Sequence, residues 1–197
     1  MKLGRLLLRF VVGGFFIGHG TQKLFGWFGG NGLKATAEGF DQLGLKPAQA
    51  HATAAGVAEA GGGALLVAGL ETPLAAAAIT ATMITAVRTV HLKNGPWASN
   101  GGYEYNVVLI AAALALAELG PGPLSLDAAR GHERSGAGWA LAAAGAGAVG
   151  ALGAHLTTKL QPAAEAFKNA GAASTPVAPP EPAGQSQQPG ATSAEAA

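Results

Sequence analysis

Ionisable side chains stand inside or at the ends of the long apolar stretches of this chain. Arg9, His19 and Lys23 mark the first stretch, Glu59 the second, Arg88 and His91 the third, and Glu104 and Glu118 the fourth, with the amide of Asn106 beside Glu104. Together they supply ammonium and guanidinium donors, imidazoles and carboxylates. Such groups can hydrogen-bond a carbonyl, relay a proton or hold an ion. A charge left alone in hydrocarbon costs a few kcal/mol or more. The cations and carboxylates are therefore expected to meet inside a helical bundle.

Spacing refines that expectation. Arg9, Phe16 and Lys23 recur every seven residues and share one helix face, with His19 close to it. Arg88 and His91 form an i, i+3 pair, and Glu104 and Glu118 lie two heptads apart on one face. The pattern predicts a polar interior seam in which cations of helices one and three oppose carboxylates of helices two and four. Arg9 and Glu118 would pair at one end of it. Lys23, Arg88 and Glu104 lie near helix ends and could equally snorkel to the interface. Glu59 sits too deep for that, so it must be protonated or partnered. It is the residue most expected to carry a functional or essential structural role.

The elements that position these groups follow from composition. Of 197 residues, 49% are hydrophobic and 12% charged, against roughly 25% charged in soluble domains. A soluble chain of this length could not bury so much apolar surface, so the fold class is all-α and polytopic in a membrane. A net charge of +1 gives no field for nucleic acid, which is excluded as a partner. The absence of cysteine removes thiolate nucleophiles, disulfides and cysteine-ligated metals.

A spanning helix needs roughly 20 apolar residues. Candidates fall at about 3–25, 48–70, 73–92 and 103–119, giving a four-helix transmembrane bundle. Lys2, Arg5 and Arg9 precede the first run as in a secretory signal, but no small-x-small cleavage site follows. The run ends instead in aromatic and basic residues of the membrane-interface kind, so a retained helix is expected. A short amphipathic helix is expected near Leu33–Leu43. Residues 135–158 lack Asp, Glu, Lys and Arg and form a fifth, Ala/Gly-rich membrane helix candidate. The expected organisation is thus a membrane domain at 1–127, a connector and fifth helix at 128–160, and a Pro/Ala/Gln/Ser-rich disordered tail at 161–197. The triple glycine Gly61–Gly63 points to close helix packing.

Connectivity sorts the charges without reference to absolute orientation. His19, Lys23, His51, Arg88, His91, Glu104, Tyr105 and Asn106 fall on one side, joined by His155 if the fifth stretch spans. Arg9, Glu71 and Glu118 fall on the other. Basic residues in the loops are almost balanced, and the weight of the first helix favours a cytoplasmic N-terminus.

The ordered series Arg9-x3-Gly13-x2-Phe16, His19-Gly20-x2-Lys23-Leu24-Phe25-Gly26 with Gly29-Gly30, and Glu59-x2-Gly62-Gly63 resembles the DoxX family of small bacterial membrane proteins. The likeness continues through His91 before Gly95, Gly102-x-Glu104-Tyr105-Asn106, and Gly120-Pro121-Gly122-x2-Ser125-Leu126-Asp127, covering about residues 4–127. The resemblance implies a four-helix bundle in the bacterial cytoplasmic (inner) membrane. It further implies a subunit of a thiosulfate:quinone oxidoreductase, or a protein acting with a superoxide dismutase and a sulfurtransferase against oxidative and thiol stress.

Three functions compete. The chain could be an oxidoreductase-associated subunit that binds quinone and docks soluble redox enzymes, with Arg9, His19, Lys23, Glu59, Arg88, His91, Glu104 and Asn106 as the candidate polar cluster. It could be a non-catalytic scaffold, or a small proton- or cation-coupled transporter using Glu59, with a homo-oligomer supplying symmetry. Haem on two of His19, His51, His91 and His155 is disfavoured, because histidines near helix ends are more often hydrogen-bonded interface residues. No catalytic residue and no metal site is assigned.

Overall fold

The computed structural model describes residues 3–173. It divides into the units Met1–Pro162 and Ala163–Ala197, and the fold described here is that of the first. All regular elements among the described residues are helical. They are α1 (Leu3–Phe25), α2 (Gly32–Gln42), α3 (Ala48–Ala68), α4 (Thr72–Ala86), α5 (Glu104–Leu119), α6 (Leu126–Ala129) and α7 (Ala137–Ala173). A π-helical segment, Val87–His91, and a 3-10 turn, Leu92–Asn94, prolong α4. Leu3–Phe25, Thr72–Asn94 and Ala137–Gln161 are each long and apolar enough to cross a membrane. The Ala/Gly-rich fifth stretch is thus a span by length and composition.

The other two long helices fall short of that measure for different reasons. α3 has 21 residues but carries Gln49, His51, Glu59 and a glycine-rich middle. α5 has only 16 residues, about 24 Å at 1.5 Å per residue, against a hydrocarbon core of about 30 Å. α7 extends to Ala173, beyond the expected end of the fifth helix at 160. The rest of the expected disordered tail, 174–197, lies outside the described residues.

Local sequence explains the turns. Pro73 opens α4 in its first turn, where its missing N–H costs nothing. Gly69 closes α3 in the left-handed conformation (φ 62°), and Leu70 N–H returns to Leu65 O at 2.9 Å. Ser125 caps the short α6 by accepting from Ala128 N at 3.1 Å.

Two packing layers matter for the site. α1 lies against α3 with almost no side chain between them. A Cβ on Gly20 would fall 2.3 Å from Ala60 N, and one on Gly63 would fall 2.5 Å from Gly13 O. Gly13 and Gly20 on α1 thus face Gly63 and Gly56–Ala60 on α3, which runs antiparallel. Of the triple glycine, Gly63 meets α1, Gly62 meets α4, and Gly61 faces open space. The second layer is a core of Val12, Phe16, Leu66, Ala75, Ala76, Ile79, Met83, Ala113, Leu116 and Ala143, which ties α1, α3, α4, α5 and α7 together.

Candidate functional site

The glycine contacts bring α1 and α3 close enough for a short ion pair. Lys23 Nζ lies 2.5 Å from Glu59 Oε2, with side-chain exposures of 25% and 7%. Glu59 is therefore a partnered carboxylate in the middle of α3, one of the two states the sequence left open for it. The Lys23 ammonium approaches His19 O more loosely, at 3.5 Å.

The remaining candidates do not gather around this pair. His19 turns outward, and its Nδ1 meets Gln22 Oε1 at 3.2 Å. Arg88 lies across on the π-helical segment, where its Nη1 donates to His155 Nδ1 of α7 at 2.7 Å. A guanidinium only donates, so His155 accepts at Nδ1 and carries its proton on Nε2. His91, on the same segment, donates from Nδ1 to Gly101 O at 2.7 Å. Asn94 Nδ2 reaches that carbonyl at 3.1 Å and helps fix the loop before α5. His51 Nε2 donates to Lys46 O at 3.1 Å and lies 3.2 Å from Thr157 Oγ1. Glu104 is exposed in the first turn of α5, where the positive end of the helix dipole favours a carboxylate. Asn106 is buried, and its Nδ2 donates to Met83 Sδ at 3.4 Å, a weak acceptor.

The expected single seam is thus corrected to separate contacts. The reason is helix phase. Arg9, Phe16 and Lys23 do share the face turned to α3, whereas His19 and Glu104 project from other faces of their helices.

The expected Arg9–Glu118 pair is corrected as well. Glu118 is exposed, and Arg9, only 2% exposed, binds backbone carbonyls. Its Nε donates to Leu66 O at 2.9 Å and its Nη2 to Val67 O at 2.8 Å, both at the C-terminal end of α3. Its Nη1 donates to Pro121 O at 2.6 Å and Leu124 O at 2.9 Å. The last carbonyls of a helix lack intrahelical donors and carry partial negative charge, so a guanidinium there satisfies both.

Around Arg9 stands a group of contacts that sequence reasoning passed over. Asp127 is 1% exposed, and its Oδ2 accepts from Glu71 N at 2.8 Å. That contact holds Glu71 in a left-handed turn (φ 47°) unusual for a residue with a Cβ. The Glu71 carboxylate accepts a hydrogen bond from Arg134 Nη1. This bond holds the Glu71 carboxyl below the usual carboxylate range, and it raises the Arg134 guanidinium further above its ordinary value. The available signal was the Ser125-Leu126-Asp127 motif, whose serine marks a helix start with an acidic residue in the first turn. Arg134 carried no pattern that could name its partner. Among the described residues no group of three or more His, Cys, Asp or Glu side chains could hold a metal.

Long apolar helices turned back on one another, with a half-buried ammonium answered by a buried carboxylate and a buried guanidinium by backbone carbonyls, define a multi-pass α-helical membrane protein. The chain belongs to the DoxX family, whose model matches residues 4–92. That span covers Arg9, His19, Lys23, Glu59, Arg88 and His91, while Glu104 and Asn106 lie beyond it. The chain is also similar to a protein of Bacillus subtilis (strain 168) named "Putative oxidoreductase CatD", at 34% identity over 115 residues, or 58% of this chain and 79% of the relative. No solved structure matches it.

Proposed function

We propose that this protein is the integral membrane subunit of a redox system, offering a hydrogen-bonding, proton-holding site to a quinone and a membrane anchor to soluble oxidoreductases. The observation that carries the reading is the Lys23–Glu59 pair, with Glu59 buried at the α1–α3 contact. Buried ion pairs are weak contributors to stability, and an apolar pair of similar size often does as well. A lysine and a glutamate closed together inside a membrane bundle are better accounted for by chemistry.

The residues fit a quinone headgroup. Lys23 gives one N–H to Glu59 and is a quarter exposed, so another N–H can reach a carbonyl oxygen. Phe25, the last residue of α1, and Trp27, just after it, are exposed with ring centroids 5.3 Å apart and offer apolar faces at the same end of that helix. When bound, a quinone would supply the electron-carrying ring. This chain's part is to orient that ring through Lys23 and to hold a proton at Glu59. The name of the Bacillus subtilis relative supports the oxidoreductase setting.

The test is extraction of the natively purified full chain for bound quinone, with Lys23→Met and Glu59→Gln compared with the unaltered protein. Quinone in the native protein and its loss from both variants is the expected result. Quinone retained by both variants would overturn the assignment of the site. Co-purifying oxidoreductases without any quinone would turn the reading into a scaffold. Glu59-dependent proton flux in proteoliposomes without quinone would turn it into a transporter.

A further inference from the structure

At the opposite end of the bundle, independent of the Lys23–Glu59 site, a cleft of about 530 Å³ opens between the start of α1, the end of α5 and the connector leading to α7. This volume falls in the range of small-molecule sites, roughly 300–1,000 Å³. Its lining includes Arg5, Leu119, the Gly120–Pro123 turn, Glu133 and Ser135.

The cleft is built around Arg5. Its Nη1 donates to Leu119 O at 2.7 Å, so the guanidinium is anchored on the carbonyl end of α5. The plane rests on Gly122, where a Cβ would fall 2.4 Å from Nη2 and 2.7 Å from Nε. Gly122 also has φ 79°, so the turn both needs glycine and leaves room for the arginine. A guanidinium carries five donors, and those not given to Leu119 suit the oxygens of a phosphate. Among the described residues the only carboxylate lining the cleft is Glu133, exposed on the connector, with the Ser135 hydroxyl two residues on. One cation and one carboxylate among the described residues lining the cleft match a ligand that carries both signs. A purely anionic ligand would face Glu133 unpaired.

Position decides where such a ligand comes from. Arg5 is the third residue, in the first turn, of a helix long and apolar enough to cross a membrane, and the end of such a helix falls at headgroup depth. Leu119 in the cleft wall, Leu124 just after the Gly120–Pro123 turn, and Leu3 and Leu7 on the same end of α1 are exposed and offer an apolar surface at this end of the bundle that acyl chains can cover. We propose that this cleft binds an ethanolamine phospholipid headgroup, with the phosphate on Arg5 and the ammonium on Glu133.

The experiment is native mass spectrometry of the full chain in mild detergent, titrated separately with phosphatidylethanolamine, phosphatidylglycerol and free phosphoethanolamine. The expected result is at least about tenfold preference for phosphatidylethanolamine over phosphatidylglycerol, with free phosphoethanolamine weaker than the lipid. Arg5→Gln should lose both lipids. Because Arg5 also anchors α5, Glu133→Gln at the exposed connector provides the folded control, and it should bind phosphatidylglycerol as well as phosphatidylethanolamine. Equal binding of the two lipids by the native chain would overturn the proposal, as would an unchanged preference in Glu133→Gln. Binding of free phosphoethanolamine as tight as that of the lipid would overturn the bilayer as its source.

Discussion

The two cations that α1 turns toward α3, buried Arg9 and half-buried Lys23, are satisfied in different ways, and this separates structure from chemistry at single residues. Arg9 is held by four backbone carbonyls, two at the end of α3 and two in the segment after α5. A hydrogen bond to a charged group contributes about 1.5–3 kcal/mol, and a lysine has a single nitrogen that cannot span the same carbonyls. Arg9→Lys is therefore expected to lower stability by at least about 3 kcal/mol. Thermal unfolding in detergent measures this, and a midpoint equal to that of the native chain would refute the clamp. Lys23 and Glu59 satisfy one another instead. Removing one member of a fully buried pair costs about 3–5 kcal/mol, and the partial exposure of Lys23 should bring the loss below that range. Lys23→Met combined with Glu59→Gln should recover stability relative to Lys23→Met alone. Strict additivity of the two losses would show that the pair is not coupled.

At the scale of elements, the α1–α3 contact depends on glycines that present backbone to backbone. Gly63→Ala places a methyl group 2.5 Å from Gly13 O and 2.7 Å from Ile17 N, and overpacking of this kind costs about 1–3 kcal/mol. Gly61→Ala meets nothing within 4 Å and should instead stabilise α3 by about 0.5–1 kcal/mol. Opposite signs for neighbouring residues in one melting series are the check. The connector is latched separately by Arg134 to Glu71, with side-chain exposures of 35% and 41%. Glu71 titrates below its unfolded value in the folded chain, so its contribution is present above the unfolded carboxylate range. It fades as pH falls through the lowered folded value. Arg134 is raised, so its share is constant over the working range. Both groups are well exposed, so the effect is small. Glu71→Gln should remove the acid-side decline in connector protection measured by hydrogen exchange, leaving the rest of the profile unchanged. Sequence periodicity gave access to the helices and to the face shared by Arg9, Phe16 and Lys23, because both depend on local spacing. The partner of Arg9 was hidden for a physical reason. Backbone carbonyls at a helix end carry no residue-type signature, and which helix end meets Arg9 is a matter of tertiary packing. Likewise the rotation of α1 that exposes His19 while burying Gly20 is set by the glycine contacts, not by the charge pattern.

For the whole molecule, the topology places Lys23–Glu59 and Arg88–His155 toward one membrane surface and the Arg5 cleft with the Arg9 clamp toward the other. Which surface is cytoplasmic does not follow from counting charges. Pairing Lys46 with Asp41 and Arg134 with Glu71 withdraws one basic residue from each side. Lys2, Arg5 and Arg130 then stand against Lys34, Lys93 and Lys159. The balance survives the pairing, so the first helix should decide, and it favours a cytoplasmic N-terminus. The chain has no cysteine of its own, which makes single introduced thiols clean reporters. Asn100→Cys, exposed in the loop before α5, and Arg130→Cys, exposed in the connector, lie on opposite sides. In spheroplasts of an expressing bacterium, a membrane-impermeant maleimide should label Asn100→Cys at once and Arg130→Cys only after permeabilisation. The reverse pattern would invert the orientation and place the proposed quinone site at the cytoplasmic face, where soluble electron donors would meet it directly. Labelling of both before permeabilisation would contradict the odd number of crossings between them, and with it the up-and-down order of α1, α3, α4, α5 and α7.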